Sequence, residues 1–146
     1  MRIALGCDHR GLKLKQAIMG FFDQSGYDYY DFGCYNTESV DYPDFARPVA
    51  EAVIAAKFDY GILICATGIG MSIAANKVKG IRAALCCNVY DVQCARGHNN
   101  ANVLCLGAET LEVNLAIEIV KTFLSATFEG GRHARRLEKL RAIEAE

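Results

Sequence analysis

Runs of apolar residues with no polar alternation constrain this chain most: Tyr60–Cys65 (YGILIC), with Ile81–Cys86 and Asn102–Leu106 of similar character. A strand with one wet face alternates apolar and polar residues, whereas a strand apolar throughout must be covered on both faces. Arg2–Gly6 (RIALG) reads as a first strand and the Tyr-rich Asp28–Phe32 as a second. Helical spacings separate these runs. Leu14, Ala17/Ile18 and Phe21/Phe22 recur with a stop at Ser25-Gly26, and Phe45, Val49, Val53 and Ala56 form one face behind the turn-like DYPD at 41–44. Further helical patterns cover 70–78, 89–96 and 111–125, and a basic helix closes the chain over about 132–146. Strands alternating with helices in this way predict an α/β fold: an open, doubly wound parallel sheet of about five strands with helices on both faces.

No linker, repeat or low-complexity tract divides residues 1–146, and a chain that is 52% hydrophobic can bury the core of one domain. A formal net charge of −1 supplies no field to hold nucleic acid or an anionic membrane surface. No apolar run approaches the roughly 20 residues of a membrane-spanning helix, and MRIALGCDHRG does not read as a signal peptide. The 7 cysteines include no C-x-x-C pair or zinc-knuckle spacing and lie mostly in apolar runs, which suits free thiols in a reducing, cytoplasmic setting.

In open parallel sheets ligands bind beyond the carboxyl ends of the strands. That rule selects Gly6-Cys7-Asp8-His9, Cys65-Ala66-Thr67-Gly68 and Cys86-Cys87-Asn88. Gly68-Ile69-Gly70 lacks the third glycine of a dinucleotide fingerprint and the Lys-Ser/Thr of a P-loop. It is either a tight strand-to-helix turn or a place where backbone N–H groups meet an anion. Cys65 opens that turn, as a core thiol or as an activated thiolate. Asp8 and His9 could cap a helix starting near Arg10, bind sugar hydroxyls or relay a proton. Arg132 and Arg136 share a helix face four residues apart and are either a solvated face or a phosphate clamp. His98-Asn99 precedes the last strand and so belongs at the amino end of the sheet. A loop or a second subunit would have to bring it to the other sites.

Together, GCDHRG at 6–11, DYPD at 41–44, ICATGIGMSIAANK at 64–77, GIRAALC at 80–86, RGHNNANVL at 96–104 and EGGRHARR at 129–136 resemble type B ribose-5-phosphate isomerase, a group that includes the galactose-6-phosphate isomerase subunits. The resemblance runs nearly end to end. It implies a Rossmann-like sheet, a homodimer or homotetramer whose sites draw on two subunits, and aldose–ketose isomerisation of a sugar phosphate with no cofactor, metal or nucleotide. It places Cys65 as the base and Thr67 and His98 at ring opening. Asp8, His9, Tyr42 and Asn99 fall where the sugar is contacted, Ala66, Gly68, Ile69 and Gly70 where the backbone faces an oxyanion, and Arg132 and Arg136 at the phosphate, delivered with His98 and Asn99 by the partner. Ala66 stands where many members have glycine, and Glu109 where arginine is common. A carboxylate there would repel a phosphate or an enediolate, so Glu109 must point away or the substrate must differ from ribose 5-phosphate.

Three rivals follow: an isomerase of allose, galactose or erythrulose phosphate; a sugar-phosphate binding protein without turnover; and a metal site built from Cys7, His9, Cys65 and Cys86 or Cys87.

Overall fold

Strand and helix alternate along the computed structural model, which describes residues 1–146: β1 (Arg2–Cys7), α1 (Leu12–Ser25), β2 (Asp28–Asp31), α2 (Pro43–Ile54), β3 (Tyr60–Cys65), α3 (Ile69–Ala75), β4 (Ala83–Leu85), α4 (Val89–Gly97), β5 (Val103–Gly107), α5 (Val113–Ser125) and α6 (Arg132–Glu144). The strands form one 5-stranded sheet in the order β2-β1-β3-β5-β4, and every pairing is parallel. The expected architecture is therefore present.

Both faces of the central strands are covered. Ile3, Leu5, Ile62, Ile64, Leu104 and Leu106 pack with Ile18 and Phe22 of α1, Val92 of α4 and Phe123 of α5. The alternate residues Ala4, Leu63, Cys65, Val103 and Cys105 pack with Val49 of α2 and Met71 of α3. Each large aliphatic side chain buried this way contributes about 1.5–3 kcal/mol. Two-sided burial is why these strands read as continuous apolar runs.

Some boundaries differ from the sequence reading. β4 was expected over 81–86 and holds only Ala83–Leu85, while α3 was expected to 78 and ends at Ala75. One side chain accounts for both. The Asn76 amide accepts from Ala83 N (2.8 Å) and donates to Ala83 O (3.0 Å), acting as a strand edge where the helix would have continued. Ala56 lies outside α2, exposed and at φ 58°, rather than on its apolar face.

Two buried cations organise loops near the sheet ends. Lys15 is 1% exposed, and its Nζ donates to Asp31 Oδ1 (2.6 Å) and Cys34 O (2.5 Å). Arg96 donates to Asn100 Oδ1, Ala101 O and the Tyr60 hydroxyl, fixing the turn that carries His98 and Asn99.

Strand order also locates the crevice. From β1 the chain crosses outward to β2; from β3 it crosses the opposite way to β4. The carboxyl ends of β1 and β3 are thus the point where the winding reverses, where a ligand finds an opening between diverging loops.

Candidate functional site

At that reversal β1 delivers Asp8 and His9, and β3 delivers Cys65. Asp8 is buried; its Oδ1 accepts from the amides of Arg10 (3.0 Å) and Gly11 (3.1 Å). The helix begins at Leu12 rather than near Arg10, so Asp8 holds the turn before α1. His9 Nδ1 accepts from Val40 N at 3.2 Å, which in the neutral ring leaves the proton on Nε2, available to a ligand.

The turn after β3 is built around its sulfur. Gly68 N donates to Cys65 Sγ at 3.2 Å, and Ile69 N donates to Thr67 Oγ1 at 3.2 Å. Gly68 adopts φ 81°, and a Cβ there would come within 3.0 Å of the Leu106 backbone. A Cβ on Gly70 would sit 2.7 Å from the ring of Tyr42, so the tyrosine packs against the turn. Cys65 itself is 5% exposed. The neighbouring cavity of about 510 Å3 is lined by Asp8, His9, Arg10, Val40, Asp41 and Tyr42 among others, and Cys65 is not part of its wall.

His98, Asn99, Arg132 and Arg136 are elsewhere. Gly61 pairs with Val103 and Cys65 with Gly107, so Cys65 and the segment preceding β5 stand at opposite ends of the sheet. Four residues of strand separate them, about 13 Å along its axis. Within one chain the expected site residues therefore form two groups: Asp8, His9, Tyr42, Cys65, Ala66, Thr67, Gly68, Ile69 and Gly70 at the carboxyl end, and His98, Asn99, Arg132 and Arg136 at the amino end.

The second group has its own framework. The ring of His98 stacks on that of His133, and its Nε2 lies 3.3 Å from Glu129 Oε2. Glu129 is seated by its amide, which donates to Gly97 O at 3.0 Å, and its carboxylate fills the space a side chain at Gly97 would need. His133 is buried between the exposed Arg132 and Arg136, and its Nε2 has no hydrogen-bond partner. Burial holds the His133 pKa below the ordinary imidazole value, reinforced by His98 and Arg132. Asn99 lines a cavity of about 360 Å3 with Asn76, Arg82 and Leu137.

Glu129, His133 and Lys15 escaped the sequence reading. His133 stands inside EGGRHARR, but only the docking of α6 shows that it faces inward.

The thiol-based metal set does not assemble. Cys7 packs on the α1 side of the sheet, 4.0 Å from Cys34 Sγ, whereas Cys65 faces α2 and α3. Burial raises the pKa of Cys7 and of Cys86 to about 12, which disfavours the thiolate a metal needs. The cluster of metal-ligand type that does form is His98, Glu129 and His133, whose donor atoms lie within 4.8 Å of one another. Its two rings are parallel, 7° between planes, so the two nitrogen lone pairs do not converge as they stand. No helix is long and apolar enough to cross a membrane.

Glu109 is also accounted for. Its carboxylate pairs with the Arg10 guanidinium, so its charge is neutralised beside the crevice.

Solved and curated proteins share this fold and sequence. Ribose-5-Phosphate Isomerase B of Clostridium thermocellum superposes with a TM-score of 0.98 at 52% identity, covering 99% of this chain and 98% of that one. Ribose-5-phosphate Isomerase B of Mycoplasma genitalium, solved with bound ribulose-5-phosphate, gives a TM-score of 0.94 at 45% identity, covering 99% and 97%. D-erythrulose-4-phosphate isomerase of Pectobacterium atrosepticum is 45% identical over 141 residues, 96% of this chain and 93% of its own. A profile of the family described as Ribose/Galactose Isomerase matches residues 3–140, and the chain belongs to that family of sugar-phosphate isomerases.

Proposed function

We propose that the protein interconverts ribose 5-phosphate and ribulose 5-phosphate through an enediolate, in a site made where the carboxyl-end group of one subunit meets the amino-end group of another. The observation that carries this reading is the division of the site residues between opposite ends of one sheet. Neither half is complete: one has a candidate base without the arginine pair, the other the arginine pair without a base. A two-fold dimer that faces unlike ends together completes two sites at once. The similarity to an isomerase solved with ribulose-5-phosphate favours the pentose phosphate as substrate.

Arg132 and Arg136 of the partner anchor the phosphate, a planar fork being suited to its oxygens. His98 of the partner, with Thr67, moves the proton that opens the furanose ring. The Cys65 thiolate takes the C2 proton and returns it to C1, and the electron pair passes through the enediolate without leaving the sugar. Backbone amides of the 66–70 turn stabilise the oxyanion, each such donor being worth about 3–4 kcal/mol in enzymes where it has been removed. Asp8, His9, Tyr42 and the partner's Asn99 hold the hydroxyls. The helix at 132–146 packs on the partner in this arrangement.

Complementation tests the shared site. Cys65→Ala and His98→Ala should each be inactive alone, yet mixing them by unfolding and refolding should restore about a quarter of wild-type activity, because half the dimers are mixed and each has one intact site. No recovery from well-folded mixed dimers would place both residues in one subunit's site or remove them from the chemistry. A second reading, isomerisation of a tetrose phosphate, is favoured by the similarity to the Pectobacterium enzyme. Relative kcat/KM for ribose 5-phosphate and erythrulose 4-phosphate separates the two.

A further inference from the structure

We propose that Arg10 is a substrate-binding residue of this enzyme: its guanidinium, oriented by Glu109, receives the anionic end of the sugar phosphate from this chain's side of the crevice. The inference rests on the sugar-phosphate reading above.

The sheet order is β1-β3-β5 at this point, so a side chain from the end of β1 that reaches one at the end of β5 must pass over the end of β3. Arg10 and Glu109 do this, their ion pair arching over the turn that starts at Cys65. Both ends are anchored in that turn's surroundings. Arg10 N donates to Asp8 Oδ1, while Ala108 N donates to Cys65 O and Glu109 N to Ala66 O, each at 2.9 Å. The backbone that carries Glu109 is thus tied to Cys65, the candidate base, and to its neighbour Ala66.

Only Nη2 of Arg10 is engaged by Glu109; Nε and Nη1 have no partner in the chain. A guanidinium has five donors in a planar fork and can hold a carboxylate on one edge and a phosphate on another. Arg10 also stands on the wall shared by two cavities, of about 510 and 470 Å3, both lined as well by His9. The first of these carries the carboxylates of Asp8, Asp41 and Asp44, with Arg10 as its one arginine or lysine. The free guanidinium edge of Arg10 is the arginine donor on that wall for an anionic sugar to meet. An ion pair with both side chains about half exposed contributes little to folding, so stability does not explain the arrangement.

The test measures kcat, KM and inhibition by inorganic phosphate for Arg10→Ala, Arg10→Lys, Glu109→Gln and the exchange R10E with E109R. Arg10→Ala should raise KM and the phosphate inhibition constant about tenfold with kcat within about twofold, the signature of lost ground-state binding. Arg10→Lys should recover part of this, since it keeps charge without the fork. Glu109→Gln should change phosphate binding by less than about threefold, because lost orientation of Arg10 opposes the relieved repulsion. The exchange should bind phosphate better than R10E alone. Unchanged KM and phosphate inhibition in Arg10→Ala overturns the proposal while leaving the isomerase reading intact. If the wild-type protein isomerises nothing, calorimetric titration with inorganic phosphate still decides. Weaker binding by Arg10→Ala then upholds Arg10 alone, and no difference between the two proteins removes it.

Discussion

The imidazole of His133 lies flat on that of His98, ring centroids 4.2 Å apart and planes 7° from parallel. Glu129 reaches both, 3.3 Å from His98 Nε2 and 4.0 Å from His133 Nε2. Arg132 and Arg136 add positive charge from the same helix. The stack ties α6 to the end of α4 and sets the direction in which His98 leaves the surface.

A pH dependence of stability follows from the depressed pKa of His133. Burial comes first among its causes, then His98 and Arg132, with Glu129 opposing them. The unfolded chain therefore binds this proton more readily than the folded one. Stability is undiminished above the ordinary imidazole value of 6.5 and falls as pH drops below it towards the folded pKa. Melting temperature measured from pH 8 to pH 5 should fall more steeply for wild type than for His133→Phe, which keeps a flat ring and removes the proton. Parallel curves for the two proteins would show that His133 does not titrate with unfolding.

Gly68 should resist substitution. At φ 81°, with a Leu106 backbone atom 3.0 Å from where a Cβ would sit, alanine must shift the turn. Gly68→Ala should lose about 1–3 kcal/mol in urea unfolding. It should also lose more activity than this stability change explains, because the amide facing Cys65 Sγ moves with it.

The Lys15–Asp31 pair makes a separate, purely structural prediction. Removing one partner of a buried pair strands the other, at a cost of about 3–5 kcal/mol. Asp31→Asn removes the charge facing the 1% exposed Lys15 ammonium and leaves it only neutral acceptors, Cys34 O and the amide oxygen, whereas Lys15→Met leaves a carboxylate that is 20% exposed and can be hydrated. Urea denaturation should find Asp31→Asn the more destabilised of the two.

Much of the fold was legible because its cause is local. Ile62, Ile64, Leu104 and Leu106 read as strands without alternation since both faces of β3 and β5 are covered. Ile18 and Phe22 read as a helix face since four residues return a side chain to the same side. Where the reading of α3 failed, a side chain bonded outside its own helix. Asn76 ended α3 by bonding across to Ala83, a contact that no periodicity encodes.

The candidate site divides in the same way. The turn at Cys65-Ala66-Thr67-Gly68 was visible as glycines behind an apolar run, and the strand-end rule brought Asp8 and His9 beside it. The Arg10–Glu109 pair was not visible, because its members are 99 residues apart and meet only when β1 and β5 flank β3. Glu109 alone looked like an obstacle to phosphate; its partner changes that.

The sequence by itself determined which segments are strands and helices, that the strands run parallel under two layers, and which small group of residue types could bear the chemistry. These depend on side-chain periodicity and backbone freedom, which act over a few residues. Tertiary structure alone decided that Cys65 and His98 face opposite ends of the sheet, that Glu109 is neutralised, and that His133 is buried against His98. Each depends on which strands are neighbours and how the last helix docks, and those follow from packing summed over the whole chain.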